Sequence, residues 1–226
     1  MGIGKTIGKA TAAAASAKIA PEYTSGFVRS VLDRAIDGVG RLPGARASAD
    51  KRLAESNGDV DKAIHEIIES HVRLAGVQGF VTNLGGVVTL AVTIPANITG
   101  LALLQCHLVA TIAYLRGYDI DDHRVRNAIL ACMMGEETVE ALIKDNKIPS
   151  TPAGIATAPY HDEELDKRIG RIVTTELIAK VGGKRVVTAV GRRVPLVGGA
   201  IGGAADGFNT WRVGRYADKA LPNRHP

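Results

Sequence analysis

One histidine and several carboxamide side chains stand in an unusually apolar part of the chain. His107 lies in a stretch of 42 residues, Leu74 to Leu115, that contains no Lys, Arg, Asp or Glu. Asn83, Asn97 and Gln105 belong to the same stretch. In an aliphatic cavity these four side chains would give a lipid or another apolar small molecule its few polar contacts. The alternative, which we favour for His107, is a hydrogen-bonded core histidine.

A second histidine follows a cluster of carboxylates. Asp119, Asp121 and Asp122 directly precede His123, and carboxylate oxygens beside an imidazole suggest a metal site. Acidic residues are also what the first turn of a helix prefers, because they cap its free N–H groups and complement its dipole. We therefore predict a helix start here and no metal site. An enzyme that uses His107, or Asp119 with His123, is a further alternative.

Motifs for phosphate binding and for the common hydrolases are missing from the sequence. We find no G-x-x-x-x-G-K-[ST], G-x-S-x-G or H-E-x-x-H string. The sequence therefore nominates no catalytic residue and no cofactor. Cys106 and Cys132 lack the C-x-x-C spacing and sit in apolar helical patterns, so we predict buried thiols in a reducing compartment.

Charge is distributed unevenly along the 226 residues. The net charge is +5, yet residues 167–226 hold twelve Lys or Arg against three Asp or Glu, and residues 61–166 hold seven against fourteen. Such a basic end favours an anionic surface. Only nine aromatic residues are present, so a base-stacking platform for nucleic acid is not expected. The residues proposed to bind the anionic surface are Lys184, Arg185, Arg192, Arg193, Arg212 and Arg215.

Helical periodicity dominates the chain and predicts an all-α fold. We expect one compact multi-helix domain over residues 21–226, with a loop near 146–160, preceded by an alanine-rich basic segment at residues 1–20 that is not a secretion signal. Ser48 and Asp59 are predicted to cap helices, and a helix from Glu163 is predicted to end near Lys180.

The charge-free stretch is long enough for two helices joined near Pro95. At about 20 residues per crossing it could pass a bilayer twice, but its polar residues would be costly in hydrocarbon. We therefore favour a central helical hairpin buried by other helices. Membrane insertion is kept as the alternative.

Glycines recur at a spacing of four in the last predicted helix. This spacing clears one helix face so that another backbone can approach closely. The apolar run is too short to span a bilayer, so we predict tight packing inside the domain. The residues are Gly198, Gly199, Gly202, Gly203 and Gly207.

Several strings together resemble the EcsC protein family over roughly residues 60–220. They are His71-Val-Arg-Leu-Ala-Gly-Val-Gln-Gly-Phe80, Leu84-Gly-Gly86, Ile94-Pro-Ala96, Gln105, Ile112-Ala113 with Arg116-Gly-Tyr-Asp119, and Pro195-Leu-Val-Gly-Gly-Ala-Ile-Gly202. The resemblance implies a bacterial, intracellular protein with a membrane link, and it supplies no catalytic residues.

These observations lead to one expected function and one alternative. We expect a non-enzymatic cytoplasmic protein that associates with an anionic membrane, or with a membrane protein such as a transporter, through its basic C-terminal face. That face would lie against the inner side of the plasma membrane. The alternative is a soluble carrier of a lipid or apolar small molecule. The oligomeric state is left open.

Overall fold

Helices make up nearly all of the secondary structure. A computed structural model describes the backbone of residues 21–76, 96–190 and 195–225, and the side chains of residues 26–76, 99–177 and 205–225. Its elements are α1 (Pro21–Asp37), β1 (Gly38–Val39), β2 (Leu42–Pro43), α2 (Ala45–Glu55), α3 (Val60–Gly76), α4 (Ala96–Leu115), α5 (His123–Met134), α6 (Glu136–Lys144), α7 (Pro152–Ala156), α8 (Glu163–Val190) and α9 (Pro195–Ala220). The predicted all-α class is confirmed.

Local hydrogen bonds explain where several helices begin. The Asp122 side chain accepts from the Arg124 N–H and caps α5, and Asp59 Oδ1 accepts from the Lys62 N–H before α3. Gly135 joins α5 to α6 with φ 85°, a conformation that glycine adopts at little cost. The predicted cap at Asp59 is therefore present, and Asp122 caps the helix that was predicted to begin after the three aspartates.

Helix α4 lies at the centre of the described fold. It packs against α1, α2, α3, α5 and α9, and its residues from Ala102 to Ala113 are all buried. A helix that is apolar on every side needs such a surround. This helix is the second arm of the predicted hairpin, whereas the turn at Pro95 and most of the first arm lie outside the described residues.

Helix α9 makes its most extensive contact with α3. A Cβ atom on Gly207 would lie 3.4 Å from the Val72 carbonyl oxygen, and one on Gly214 would lie 2.9 Å from Ile68 Cγ1 and 3.2 Å from Leu108 Cδ2. The side-chain-free face of α9 thus lets α3 and α4 come close. The surroundings of Gly198, Gly199, Gly202 and Gly203 lie outside the described side chains.

Three details of the local structure differ from the sequence prediction. Ser48 does not cap a helix, because Gly44 occupies that position and the Ser48 N–H already donates to the Gly44 oxygen within the first turn. The predicted loop at 146–160 contains the short helix α7, whose Thr151 side chain accepts from the Gly154 N–H. Helix α8 continues to Val190 instead of ending near Lys180.

A helix that crosses a bilayer needs about 20 consecutive, mostly apolar residues. Within the described ranges, no helix is both long enough and apolar enough to cross a membrane.

Candidate functional site

Two buried histidines from neighbouring helices contact each other at the core. His71 Nε2 on α3 lies 2.9 Å from His107 Nδ1 on α4, and His71 Nδ1 lies 2.8 Å from the Ile67 oxygen. At the other end, His107 Nε2 lies 3.1 Å from Ser48 Oγ and 3.0 Å from the Pro43 oxygen. The polar atoms form a continuous row from α3 through α4 to the start of α2.

Counting protons along this row shows that the neutral pair can satisfy only one of its two ends. A carbonyl oxygen can only accept, and one lies at each end: Ile67 O beside His71 Nδ1 and Pro43 O beside His107 Nε2. Two neutral imidazoles carry two N–H groups, and one of these is needed for the bond between the rings. The other N–H donates to one of the two carbonyl oxygens, and a further proton would supply the second.

Burial makes this extra proton unfavourable. It lowers the pKa of His71 to about 3, and the adjacent His107 adds to the effect. Burial also lowers the pKa of His107 to about 4, although the Pro43 and Gly44 carbonyl groups oppose the shift. Both imidazoles are therefore neutral at pH 7.

An open cleft of about 510 Å³ reaches the histidine pair between α2, α3 and α4. Its apolar lining includes Leu42, Ala47, Ile67 and Leu74, with Ser48, His71 and His107 among its polar residues. Gln105 lies elsewhere in the core, where its Nε2 donates to Thr210 Oγ1 at 3.4 Å. Of the proposed polar contacts, His107 alone lines this cleft; Asn83 and the Asn97 side chain lie outside the described residues.

The three aspartates before His123 are largely occupied by protein partners. Asp121 pairs with Arg46 and Arg126, Asp122 pairs with Arg124 and caps α5, and Asp119 accepts from a backbone N–H. The capping interpretation accounts for Asp122 directly. Sequence spacing does not reveal the residues that do approach His123.

The side chains that approach His123 are a histidine and an aspartate that follow α7 in the sequence. His161 Nε2 lies 2.9 Å from Asp166 Oδ2, and His123 Nδ1 lies 4.0 Å from the same oxygen. The two imidazole rings are 4.8 Å apart between centroids. Within the described residues, this is the one group of three potential metal ligands whose ligand atoms all lie within 4.8 Å of one another.

The outward face of α9 combines aromatic and basic side chains. Phe208 and Trp211 are 62% and 46% exposed, and their rings stack with centroids 6.0 Å apart. With Arg212 and Arg215 they occupy positions i, i+3, i+4 and i+7, which form one stripe along a helix. We call these four residues the α9 stripe.

Both arginines of the α9 stripe have acidic neighbours at the surface. Arg212 Nη2 lies 3.1 Å from Glu137 Oε1, and Arg215 Nη1 lies 3.6 Å from Asp218 Oδ2. Grooves of about 500 and 630 Å³ flank Trp211 on its α6 and α3 sides. The other basic residues proposed from the sequence, Lys184, Arg185, Arg192 and Arg193, have no described side chains.

The Arg-Gly-Tyr-Asp string at the end of α4 joins several elements. The Arg116 guanidinium contacts Asp61 at 2.8 Å and Asp218 at 2.6 Å. Gly117 has φ 82° and turns the chain after α4. The Tyr118 ring lies under the guanidinium of Arg224, 5.2 Å from the ring centroid. The string thus connects α3, α4, α9 and the segment after α9.

Fold and motifs together define an all-α domain organised around one charge-free helix. The chain belongs to the EcsC protein family, whose model matches residues 56–225. Comparisons with curated proteins and with solved structures gave no match.

Proposed function

We propose that this protein associates peripherally with an anionic membrane surface through the α9 stripe. The observation that carries the proposal is the exposed, stacked pair Phe208 and Trp211 beside Arg212 and Arg215 on one helix face. An outward helix face is normally polar. Aromatic rings next to cations are instead typical of helices that lie at the interface between headgroups and acyl chains.

The two kinds of side chain would contribute different parts of the binding. Phe208 and Trp211 would enter the interface and remove apolar surface from water. Arg212 and Arg215 would bind headgroup phosphates. The Arg212–Glu137 pair is exposed on both sides, and exposed pairs contribute only about 0–1 kcal/mol. Exchange of this carboxylate for a phosphate therefore costs little.

Basic residues that precede α9 in the sequence add to the positive charge of this end of the chain. Lys184, Arg185, Arg192 and Arg193 belong to the C-terminal sixty residues, where twelve basic residues stand against three acidic ones. Each basic residue near an anionic bilayer contributes about 1 kcal/mol, and salt screens this attraction. The proposal therefore predicts membrane binding that weakens as salt is added.

Vesicle flotation tests the proposal with the untagged full chain. We expect the protein to float with phosphatidylcholine vesicles that contain phosphatidylserine, less so at high salt, and not with phosphatidylcholine alone. The double variant Phe208→Ala/Trp211→Ala should lose flotation. Tyr160→Ala is the matched control, because Tyr160 is a 74% exposed aromatic residue outside the stripe.

Two results would contradict membrane docking. One is wild-type protein that stays at the bottom of the gradient at low salt with anionic vesicles. The other is a double variant that floats as well as wild type while Lys184→Gln/Arg185→Gln also has no effect. Loss of flotation in the charge variant alone would assign binding to the basic residues that precede α9 and remove the stripe from the proposal.

The cleft beside His107 favours a second candidate, binding of a lipid or another apolar small molecule. Its volume of about 510 Å³ falls in the range of about 300–1,000 Å³ that is usual for ligand sites. Native mass spectrometry should then show a bound molecule that Ala47→Trp removes. Ala54→Trp is the control, because Ala54 is exposed on α2 and does not line the cleft. An empty wild-type protein would exclude this candidate.

A further inference from the structure

We propose that His123, His161 and Asp166 bind a Zn²⁺ ion, with three protein ligands and one open coordination position. The proposal goes beyond membrane docking and does not depend on it. The three ligands come from the start of α5, the segment after α7 and the first turns of α8. Imidazole and carboxylate are ligands that Zn²⁺ accepts, and sites with three protein ligands leave the fourth place to water or substrate.

The distances between the ligand atoms suit one small ion. Two ligands about 2.0 Å from a tetrahedral ion lie about 3.3 Å from each other. The observed separations from Asp166 Oδ2 are 2.9 Å to His161 Nε2 and 4.0 Å to His123 Nδ1. All three ligand atoms lie within 4.8 Å of one another, so closing the site requires His123, whose side chain is 62% exposed, to move toward both other ligands.

A second layer of side chains holds the carboxylate in place. Asn127 is buried, and its Nδ2 donates to Asp166 Oδ1 at 2.5 Å. Arg29 Nη2 in turn donates to Asn127 Oδ1 at 2.8 Å and to the Asp166 backbone oxygen at 2.6 Å. These bonds occupy the Oδ1 side and direct Oδ2 to the two histidines. Ligand carboxylates in metal sites are commonly oriented by such partners.

The positive charge of Arg29 does not prevent cation binding at this place. Its guanidinium lies 3.6 Å from Asp166 Oδ1, the oxygen that faces away from the proposed ion. Asp122 and Asp162 adjoin the two histidines in sequence, and Asp162 Oδ1 accepts the N–H groups of Glu164 and Leu165. The surroundings therefore contain carboxylates as well as the guanidinium.

The proposed ion would connect segments that are distant in sequence. His161 lies in the irregular segment between α7 and α8, where Arg124 Nη1 donates to the Ala158 oxygen. Zn²⁺ bound to His161, to His123 of α5 and to Asp166 of α8 would hold this segment against both helices. Because binding would require the folded arrangement, Zn²⁺ should raise the melting temperature.

Titration calorimetry with ZnCl₂ tests the site on the untagged full chain after chelator treatment. We expect saturable binding of one Zn²⁺ per chain, and Co²⁺ should give the intense visible absorption of a four-coordinate ion. His161→Ala and His123→Ala remove a ligand each. They should weaken Zn²⁺ binding by more than the roughly 10–100-fold that follows loss of a second-layer partner.

His65→Ala is the matched control. His65 is exposed and lies 3.2 Å from Glu69 Oε1, but no third ligand completes a group around it in the described ranges. This variant should bind Zn²⁺ as wild type does. The proposal is overturned if wild type shows no saturable one-to-one binding, or if His161→Ala binds with wild-type affinity. Melting curves without metal verify that each variant folds, and Zn²⁺ should raise the melting temperature of wild type but not of His161→Ala.

Discussion

His71 Nε2 and His107 Nδ1 share one hydrogen bond of 2.9 Å, in a part of the core where His71 is 6% and His107 2% exposed. Two imidazoles so placed can share their hydrogen bonds only while both are neutral or while one carries a single extra proton. The unfolded chain has no such restriction. Proton uptake therefore distinguishes the folded from the unfolded protein.

The histidine pair should make stability depend on pH. The pKa values of about 3 and 4 lie below the usual value of 6.5, so between pH 6.5 and 4 the unfolded state binds more protons than the folded state. The contribution of the neutral pair to the free energy of unfolding is therefore fully present above pH 6.5, and it is lost as the solution becomes more acidic. Each histidine contributes a loss of about 1.4 kcal/mol per pH unit across this window.

Urea unfolding at a series of pH values measures this loss, with His71→Gln as the comparison. The variant retains one buried histidine. Its free energy of unfolding should therefore fall by about 1.4 kcal/mol less than that of wild type for each pH unit below 6. His65→Gln changes an exposed histidine and should run parallel to wild type. Parallel curves for His71→Gln as well would show that His71 is not buried in the neutral form.

Removal of the Ser48 hydroxyl should destabilise the fold. Ser48→Ala removes a hydrogen-bond partner of His107 Nε2, and loss of such a bond costs about 1–2 kcal/mol. Ser70→Ala is the control in the same cleft. The Ser70 hydroxyl donates to the Ile67 oxygen, which also lies 2.8 Å from His71 Nδ1, so the change should stay within about 0.5 kcal/mol. Equal effects of the two substitutions in chemical denaturation would contradict the hydrogen bond between Ser48 and His107.

A methyl group added at Gly214 should disturb the contact of α9 with α3 and α4. Its Cβ would meet Ile68 at 2.9 Å and Leu108 at 3.2 Å, and overpacking of this kind costs about 1–3 kcal/mol. Gly26→Ala is the opposite case, because nothing lies within 4 Å of the added atom in α1. There we expect a gain of about 0.5–1 kcal/mol from helix propensity. Thermal unfolding of both variants measures the two signs, and a stabilised Gly214→Ala would disprove close packing.

The two cysteine thiols should be unreactive in the folded protein. Cys106 and Cys132 are both fully buried, and burial raises the pKa of each thiol. The thiolate is the reactive form, so Ellman's reagent should detect no thiol until denaturant is added and two thereafter. Reaction of either thiol without denaturant would mean that α4 or α5 opens readily.

Features that depend on a few adjacent residues could be predicted from the sequence. The Asp59 and Asp122 caps, the helix beginning at Glu136 and the break after α1 each follow from local residue types. Ser48 was wrongly predicted because Gly44, set by the small hairpin before α2, takes the capping position. Helix α8 continues past Gly182 and Gly183, although glycine has a low intrinsic helix propensity.

The side-chain groups that carry chemistry depend on long-range contacts. His71 and His107 are 36 residues apart, and His123 meets His161 and Asp166 only because α8 packs against α5. The Asp119, Asp121 and Asp122 cluster drew attention to His123, but not to His161 and Asp166, the side chains that lie near it. Sequence spacing contains no signal for pairs of residues that lie so far apart along the chain.

The position of α4 has a consequence for synthesis on the ribosome. This charge-free helix ends at Leu115, whereas α9, which covers one side of it, begins at Pro195. At about 5–20 residues per second, translation needs several seconds for the intervening chain. During that interval an apolar side of α4 is uncovered, so we expect nascent chains to require a chaperone and truncated chains that lack α9 to aggregate.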